Sequence, residues 1–139
     1  MGCLTPSPVV AVKQKVLLIE DNVDSAEMMQ LLFEELGHSV SVAWDGQTGL
    51  ELAEKIVPDT VFCDIGLPGA MNGYAVAKEI RRRQALSGIY LIALTGYVHP
   101  EDVRRAEMAG FDLHIAKPVG LDVLEGAVAL RQHIGRVAT

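Results

Sequence analysis

Short apolar runs alternate with longer amphipathic stretches five times from Lys15 onward. Most of the runs are continuously hydrophobic, which is typical of strands buried on both faces of a parallel sheet. In chain order, the predicted strands cover residues 16–19, 38–44, 60–63, 89–94 and 113–116. Strands that alternate with helices indicate a doubly wound α/β domain, in which helices cover both faces of the sheet.

Each predicted strand is followed by a stretch with helical periodicity. The first helix is predicted from about Asp24 to a stop at Gly37. Its apolar stripe consists of Met28, Leu31, Leu32 and Leu36. Asp45 is expected to cap the second helix, which ends before Pro58. The remaining helices are predicted over residues 74–84, 100–109 and 121–134.

The length of 139 residues fits a single domain, predicted over residues 15–135. Residues 1–14 are expected to form a tail or linker, and residues 136–139 a carboxyl-terminal tail. The net charge of −6 argues against a nucleic-acid partner, and the strand-sized apolar runs argue against membrane insertion. Two cysteines give no disulfide framework, which suits the cytoplasm.

Polar residues follow four of the predicted strands. Glu20 and Asp21 follow the first strand, Asp64 follows the third, Thr95 the fourth and Lys117 the fifth. In a parallel α/β sheet, ligands bind outside the carboxyl ends of the strands. The sequence therefore predicts a functional site at this edge, made of carboxylates, a hydroxyl and an ammonium group.

These groups predict a site for phosphoryl transfer. Neighbouring carboxylates repel each other unless a cation lies between them, and a site with only oxygen ligands favours Mg²⁺. Mg²⁺ usually takes one or two protein carboxylates together with a phosphate oxygen. The ammonium of Lys117 and the hydroxyl of Thr95 are placed to hold the remaining phosphoryl oxygens.

With these motifs in this order, the chain resembles the receiver domain of two-component response regulators. The resemblance rests on the acid pair Glu20-Asp21, on Asp64 in D-I-G-L-P, on Thr95 in A-L-T-G and on Lys117-Pro118. It implies a flavodoxin-like fold with five parallel strands in the order 2-1-3-4-5 and five helices. It also implies that Asp64 accepts a phosphoryl group from a sensor histidine kinase or a phosphotransfer protein.

The resemblance assigns the metal ligands as well. Asp21 and Asp64 would bind Mg²⁺ directly, Glu20 would act through water, and the Gly66 carbonyl would complete the protein ligands. Lys117 would be oriented by a cis bond to the following proline. The family mechanism implies self-phosphorylation and autodephosphorylation only, not turnover of a separate substrate. Phosphorylation would then change the protein's conformation and its contact with a downstream protein.

The chain departs from the family pattern at two positions. Gly73 comes nine residues after Asp64, one residue later than in the family, and Ala70 is interpreted as the extra residue. The aromatic switch position of the family is occupied by His114. His114 is either a switch residue or a half-buried strand residue. It also favours a receiver of a hybrid sensor kinase over a stand-alone regulator.

Three alternative functions can be compared with this interpretation. Phosphatases of the dehalogenase type need a second carboxylate two residues after the nucleophile, where this chain has Gly66. A flavodoxin-like nucleotide or flavin binder is disfavoured by the acidic loop 20–24, which would repel a phosphate. A docking module that no longer accepts phosphate is disfavoured by the complete set of polar residues.

Overall fold

The computed structural model describes residues 13–96, 99–120 and 122–127. Its centre is a five-stranded parallel sheet in the order β2-β1-β3-β4-β5. The strands are β1 (Lys15–Ile19), β2 (Ser39–Ala43), β3 (Thr60–Asp64), β4 (Tyr90–Thr95) and β5 (Leu113–Ala116). The predicted fold class and strand order are confirmed.

Helices connect the strands on both faces of the sheet. They are α1 (Val23–Glu35), α2 (Gly46–Ile56), α3 (Gly73–Arg82) and α4 (Pro100–Ala109), with a short 3₁₀ helix at Gln84–Leu86. The described residues 122–127, here α5, are also helical; the remainder of the predicted last helix lies outside the described residues. None of the described helices is long and apolar enough to cross a membrane.

Side-chain oxygens cap three of these helices at the edge where the site is predicted. Asn22 accepts the backbone N–H of Ser25, and the predicted cap Asp45 accepts that of Thr48 at 2.7 Å. Asn72 caps α3, which begins one residue before its predicted start. Each cap satisfies a helix N–H that has no partner within the helix.

The sheet separates two apolar layers. Leu17 and Ile19 of β1 face a layer with α2, α3 and α4, whereas Val16 and Leu18 face a layer with α1 and α5. This alternation follows from the two-residue period of strand side chains. Burial on both faces explains why the strands are continuously hydrophobic.

The predicted apolar stripe of α1 is confirmed in part, because Leu32 and Leu36 pack on the apolar layer whereas Met28 and Leu31 are exposed. The helix buries Ala26, Met29 and Phe33, while Met28 and Leu31 are 58% and 65% exposed. Residues 26, 29 and 33 also follow helical spacing, so the sequence contained two competing stripes. The largest of these side chains, Phe33, selects the buried one by packing on Phe62 of β3, with a ring distance of 4.8 Å.

The amino-terminal end of the sheet contains a buried polar network. Gln14, which falls in the predicted tail, is 5% exposed, and its backbone N–H donates to Nδ1 of His38 at 3.0 Å. Its side-chain oxygen accepts the hydroxyl of Thr60 at 2.9 Å. Burial lowers the pKa of His38, so the neutral ring is the form that accepts this hydrogen bond. Residues 1–12 of the predicted tail lie outside the described residues.

Arg81 at the end of α3 joins several segments at the same end of the sheet. Its guanidinium donates to the carbonyls of Ser87, Ile89 and Gly110 at 2.7 to 2.8 Å. It also pairs with Asp112 at 2.7 Å, and that carboxylate accepts the backbone N–H of Leu91. One side chain therefore holds the ends of α3 and α4 against the beginning of β4 and β5.

Replacement of Arg81 by Met is expected to lower the free energy of unfolding by about 2 kcal/mol, because several charge-assisted hydrogen bonds are lost together. Arg82→Met is the matched control, since the Arg82 side chain is 74% exposed and contacts Glu79 on the same helix. Its effect on the free energy of unfolding is expected to be much smaller, because an exposed ion pair is screened by solvent. Urea unfolding of both variants measures the difference, and equal effects would contradict the assigned role.

Acid is expected to destabilise the fold through His38. Because its pKa in the folded protein lies below the ordinary value of 6.5, the unfolded chain takes up the proton first as the pH falls. The stability lost this way is at most about 1.4 kcal/mol per pH unit below pH 6.5. His38→Asn is expected to remove this loss, so its stability relative to wild type should improve from pH 7.5 to pH 5. A difference that stays constant over that range would refute the prediction.

Candidate functional site

The parallel register of the sheet brings two predicted carboxylates together. Ile19 of β1 pairs with Cys63 of β3, so the next residues, Glu20 and Asp64, end neighbouring strands at the same edge. Asp21 follows at the surface. Oxygen atoms from Glu20, Asp21 and Asp64 lie within 4.8 Å of one another, as the sequence analysis predicted.

Lys117 follows the outer strand β5, and its side chain reaches this acidic group along the same edge of the sheet. Its backbone N–H donates to the carbonyl of Thr95 at 2.8 Å, which continues the ladder between β4 and β5. Its Nζ then extends across the end of β4 and donates to Asp64 Oδ2 at 3.0 Å and to Glu20 Oε1. The peptide bond between Lys117 and Pro118 is cis, as predicted.

Burial distinguishes the two neighbouring carboxyl groups. Glu20 is 0% exposed, and burial together with its hydrogen bond to Asp64 raises its pKa to about 7, although Lys117 acts in the opposite direction. Burial also acts to raise the pKa of Asp64, but hydrogen bonds from Glu20, the Gly66 N–H and Lys117 outweigh it and lower that pKa. Within the pair, these contacts therefore favour a proton on Glu20 over a proton on Asp64.

The ammonium of Lys117 is held in its charged form by the same contacts. Burial alone would lower its pKa, but the hydrogen bonds to Glu20 and Asp64 dominate and raise it. The site thus combines a buried acid, an ionised carboxylate and a fixed cation within hydrogen-bonding distance.

The acidic group fits a hard divalent cation. The second oxygen of Glu20, Oε2, is buried and has no hydrogen-bond partner among the described residues. A buried acceptor without a partner is costly, and a cation or its bound water would satisfy it. Asp21 is exposed and offers further oxygens toward solvent. An all-oxygen donor set of this kind suits Mg²⁺.

The loop after β3 closes next to Asp64. The backbone N–H of Ile65 donates to Leu94 of β4 at 3.0 Å, and Gly66 donates its N–H to Asp64 Oδ1 at 2.8 Å. Gly73, at the other end of the loop, donates to the carbonyl of Ile65 at 3.2 Å. Asp64 is therefore held by its own loop as well as by Lys117. The Gly66 carbonyl remains a predicted metal ligand.

Thr95 and His114, which were also predicted to be functional, lie in different parts of the sheet. Thr95 ends β4 at the site edge and is 4% exposed. His114 lies two register positions before the end of β5 and lines a cavity of about 590 Å³ against α4. It is half-buried, and its Nε2 has no hydrogen-bond partner among the described residues. Its role as a switch stays a prediction.

Sequence reasoning missed one contact near the site. Met71 of the loop packs its carbonyl and side chain against Gly46 at the start of α2. A glycine directly after the capping residue Asp45 was the available signal, because a residue without a Cβ permits close backbone approach. This contact joins the loop after β3 to the start of α2.

Comparison with known proteins agrees with this geometry. Residues 16–129 match the family model described as the response regulator receiver domain. The chain is 33% identical over 106 residues to the DNA-binding response regulator MtrA of Mycobacterium tuberculosis, and 31% identical over 132 residues to the virulence sensor protein BvgS of Bordetella bronchiseptica. These matches cover 76% and 91% of this chain, but 45% and 10% of the two relatives.

Among solved structures, the chain is similar to the receiver domain of a sensor histidine kinase from Pseudomonas aeruginosa. The two share 28% identity with a TM-score of 0.77, covering 84% of this chain and 95% of the other. That structure contains a magnesium ion coordinated in its active site cleft. With the family match over most of its length, the chain belongs to the response regulator receiver domain family.

Proposed function

We propose that this chain accepts a phosphoryl group on Asp64, with Mg²⁺ bound beside it, from a sensor histidine kinase or a phosphotransfer protein. The observation that carries this proposal is the shared contact of Lys117 with Glu20 and Asp64. It leaves Asp64 ionised, 14% exposed in its side chain and flanked by a fixed cation. An ionised carboxylate at the surface of a charged cleft is a suitable nucleophile.

In the proposed reaction, a carboxylate oxygen of Asp64 forms a bond to phosphorus as the phosphorus–nitrogen bond of the donor histidine breaks. The donor imidazole leaves with the electron pair of that bond. In this proposal, Lys117 stabilises negative charge on the phosphoryl oxygens. Thr95, at the end of the neighbouring strand β4, binds another phosphoryl oxygen. Bound Mg²⁺ supplies further positive charge at these oxygens.

Three chain features fit the proposed metal ligands. Glu20 offers a buried oxygen without a partner among the described residues, and Asp21 and Asp64 offer oxygens within 4.8 Å. In this proposal Asp21 and Asp64 bind the ion directly, Glu20 acts through water, and the Gly66 carbonyl completes the protein ligands. Lys117 would release Glu20 when a cation takes over its charge.

The proposed role is signalling and not turnover of a separate substrate, with autodephosphorylation as the only hydrolysis. Phosphorylation is proposed to shift the conformation around α4 and β5 and so to change contact with a downstream protein. The relatives include a sensor protein and a DNA-binding regulator, so either setting suits a receiver of this kind. A cytoplasmic location belongs to the proposal, consistent with the free, buried thiol of Cys63.

Mg²⁺ is expected to stabilise the folded protein through Asp21. At a concentration 100 times the dissociation constant, the free energy of unfolding should rise by about 2.7 kcal/mol. Asp21→Asn is expected to reduce this gain by at least about 1.4 kcal/mol, which corresponds to tenfold weaker binding. Asp24→Asn, an exposed carboxylate three positions along the chain, is the matched control. Urea unfolding with and without Mg²⁺ measures both, and an equal gain in both variants would exclude Asp21 as a ligand.

Incubation with acetyl phosphate and Mg²⁺ is expected to add one phosphoryl group to wild type, as seen by intact mass. The adduct should require Mg²⁺, disappear in Asp64→Asn and persist in Asp24→Asn. An adduct that survives in Asp64→Asn would show that another residue is the nucleophile. The absence of any adduct in wild type that binds Mg²⁺ would leave a docking module as the better function.

A further inference from the structure

The loop between Asp64 and α3 carries one more residue than the family spacing, yet its two ends meet tightly. Gly73 donates its N–H to the Ile65 carbonyl at 3.2 Å. A Cβ at Gly73 would lie 2.5 Å from the carbonyl oxygen of Asp64 and 2.5 Å from Cα of Ile65. The absence of a side chain at Gly73 therefore lets the loop close directly on the acceptor residue.

The rest of the loop is fixed at two interior positions. Leu67 is 5% exposed and belongs to the apolar layer with α2 and α3. Met71 packs on the same layer and contacts Gly46, where a Cβ would lie 2.5 Å from the Met71 carbonyl oxygen and 2.9 Å from its Cγ. Between these two positions, residues 68–70 are exposed. The extra length is therefore taken up at the exposed tip, away from Asp64.

We propose that Gly46 and Met71 are positioning residues for the phosphoryl site. Their contact fixes the far side of the loop, so that the extra residue does not displace Gly66, which donates to Asp64. This inference rests on the proposed function. Helix α2 contributes no side chain to the acidic group, and its proposed task is to hold the loop whose Gly66 N–H donates to Asp64.

A methyl group added at Gly46 would press on the loop at Met71 and also on α3, because a Cβ there would lie 2.9 Å from Cγ2 of Val76. Helix α2 is packed closely on the sheet, because a Cβ at Gly49 would lie 2.5 Å from Cδ1 of Ile19. Leu50 and Ala53 are buried in the same interface. To reach the ordinary contact distance of 3.4 Å, the Met71 carbonyl must therefore retreat by about 1 Å from a methyl group at position 46.

The first test compares Gly46→Ala with Gly88→Ala. Gly88 is exposed, has negative φ and has no atom within 4 Å of the place that an added methyl group would take, so it controls for the general effect of Gly→Ala. Calorimetric titration with Mg²⁺ is expected to show about tenfold weaker binding for Gly46→Ala and unchanged binding for Gly88→Ala. A displacement of about 1 Å at a catalytic group can cost up to about 100-fold. The effect expected here is smaller because Met71 is displaced directly and Gly66 only through the loop.

The second test uses Met71 and the loop tip. Met71→Ala is expected to weaken Mg²⁺ binding by about threefold to tenfold, Met71→Leu to restore it, and Ala70→Ser at the tip to leave it unchanged. If the two residues act through one contact, the effects of Gly46→Ala and Met71→Ala should not add in the double variant. The initial rate of phosphorylation by acetyl phosphate should fall mainly at subsaturating Mg²⁺ and recover at saturation.

The outcomes separate the inference from the proposed function. If wild type neither binds Mg²⁺ nor accepts phosphate, the proposed function fails and the inference with it. If wild type does both, and Gly46→Ala and Met71→Ala bind Mg²⁺ as Gly88→Ala does, the inference alone is overturned. A loss of stability in urea with unchanged Mg²⁺ affinity would likewise reduce Gly46 to a packing residue. Should Gly46→Ala fail to fold, the contrast between Met71→Ala and Met71→Leu decides.

Discussion

The site depends on one electrostatic constraint, the placement of two carboxyl groups on adjacent strands at a partly buried edge. The register of β1 against β3 puts Glu20 beside Asp64, and both would repel each other as anions. Lys117 resolves the conflict from two strands away, because its side chain is long enough to cross the end of β4. The contact depends on the strand order, which places one strand, β4, between β3 and β5. The ammonium of Lys117 offsets the negative charge of the pair, and the raised pKa of Glu20 favours its protonated form over that of Asp64. A divalent ion at the proposed metal site would take over part of that task, so the proposed metal and phosphoryl sites would be linked through Lys117.

Much of this arrangement was predictable because it depends on strand ends. Continuous apolar runs identify buried strands, and the polar residue that follows each run must lie at one edge of a parallel sheet. Glu20, Asp64 and Lys117 were found in this way. The contact between them was not, because its geometry depends on side-chain reach and on burial that a sequence does not state.

Other features escaped the sequence for different reasons. Met28 and Leu31 were wrongly predicted to face the core because they are as apolar as the residues that are buried, and the packing of Phe33 on Phe62 decided between them. The contacts of Arg81 escaped because most of its acceptors are backbone carbonyls, which every residue has. The contact of Gly46 with Met71 joins segments that are 25 positions apart and leaves no periodic pattern.

Helix α4 has a weaker hold on the sheet than its neighbours. It buries only Ala106 and Ala109, whereas α1 buries Phe33 and α3 buries Tyr74 and Ile80. Each buried methyl group contributes about 0.8 kcal/mol, so the two alanines together contribute about 1.6 kcal/mol to the attachment of α4. Two polar contacts at its middle and end, Arg105 over Tyr74 and Arg81 on the Gly110 carbonyl, add to this attachment. Because so little apolar surface attaches it, α4 would need less free energy than α1 or α3 to shift relative to the sheet.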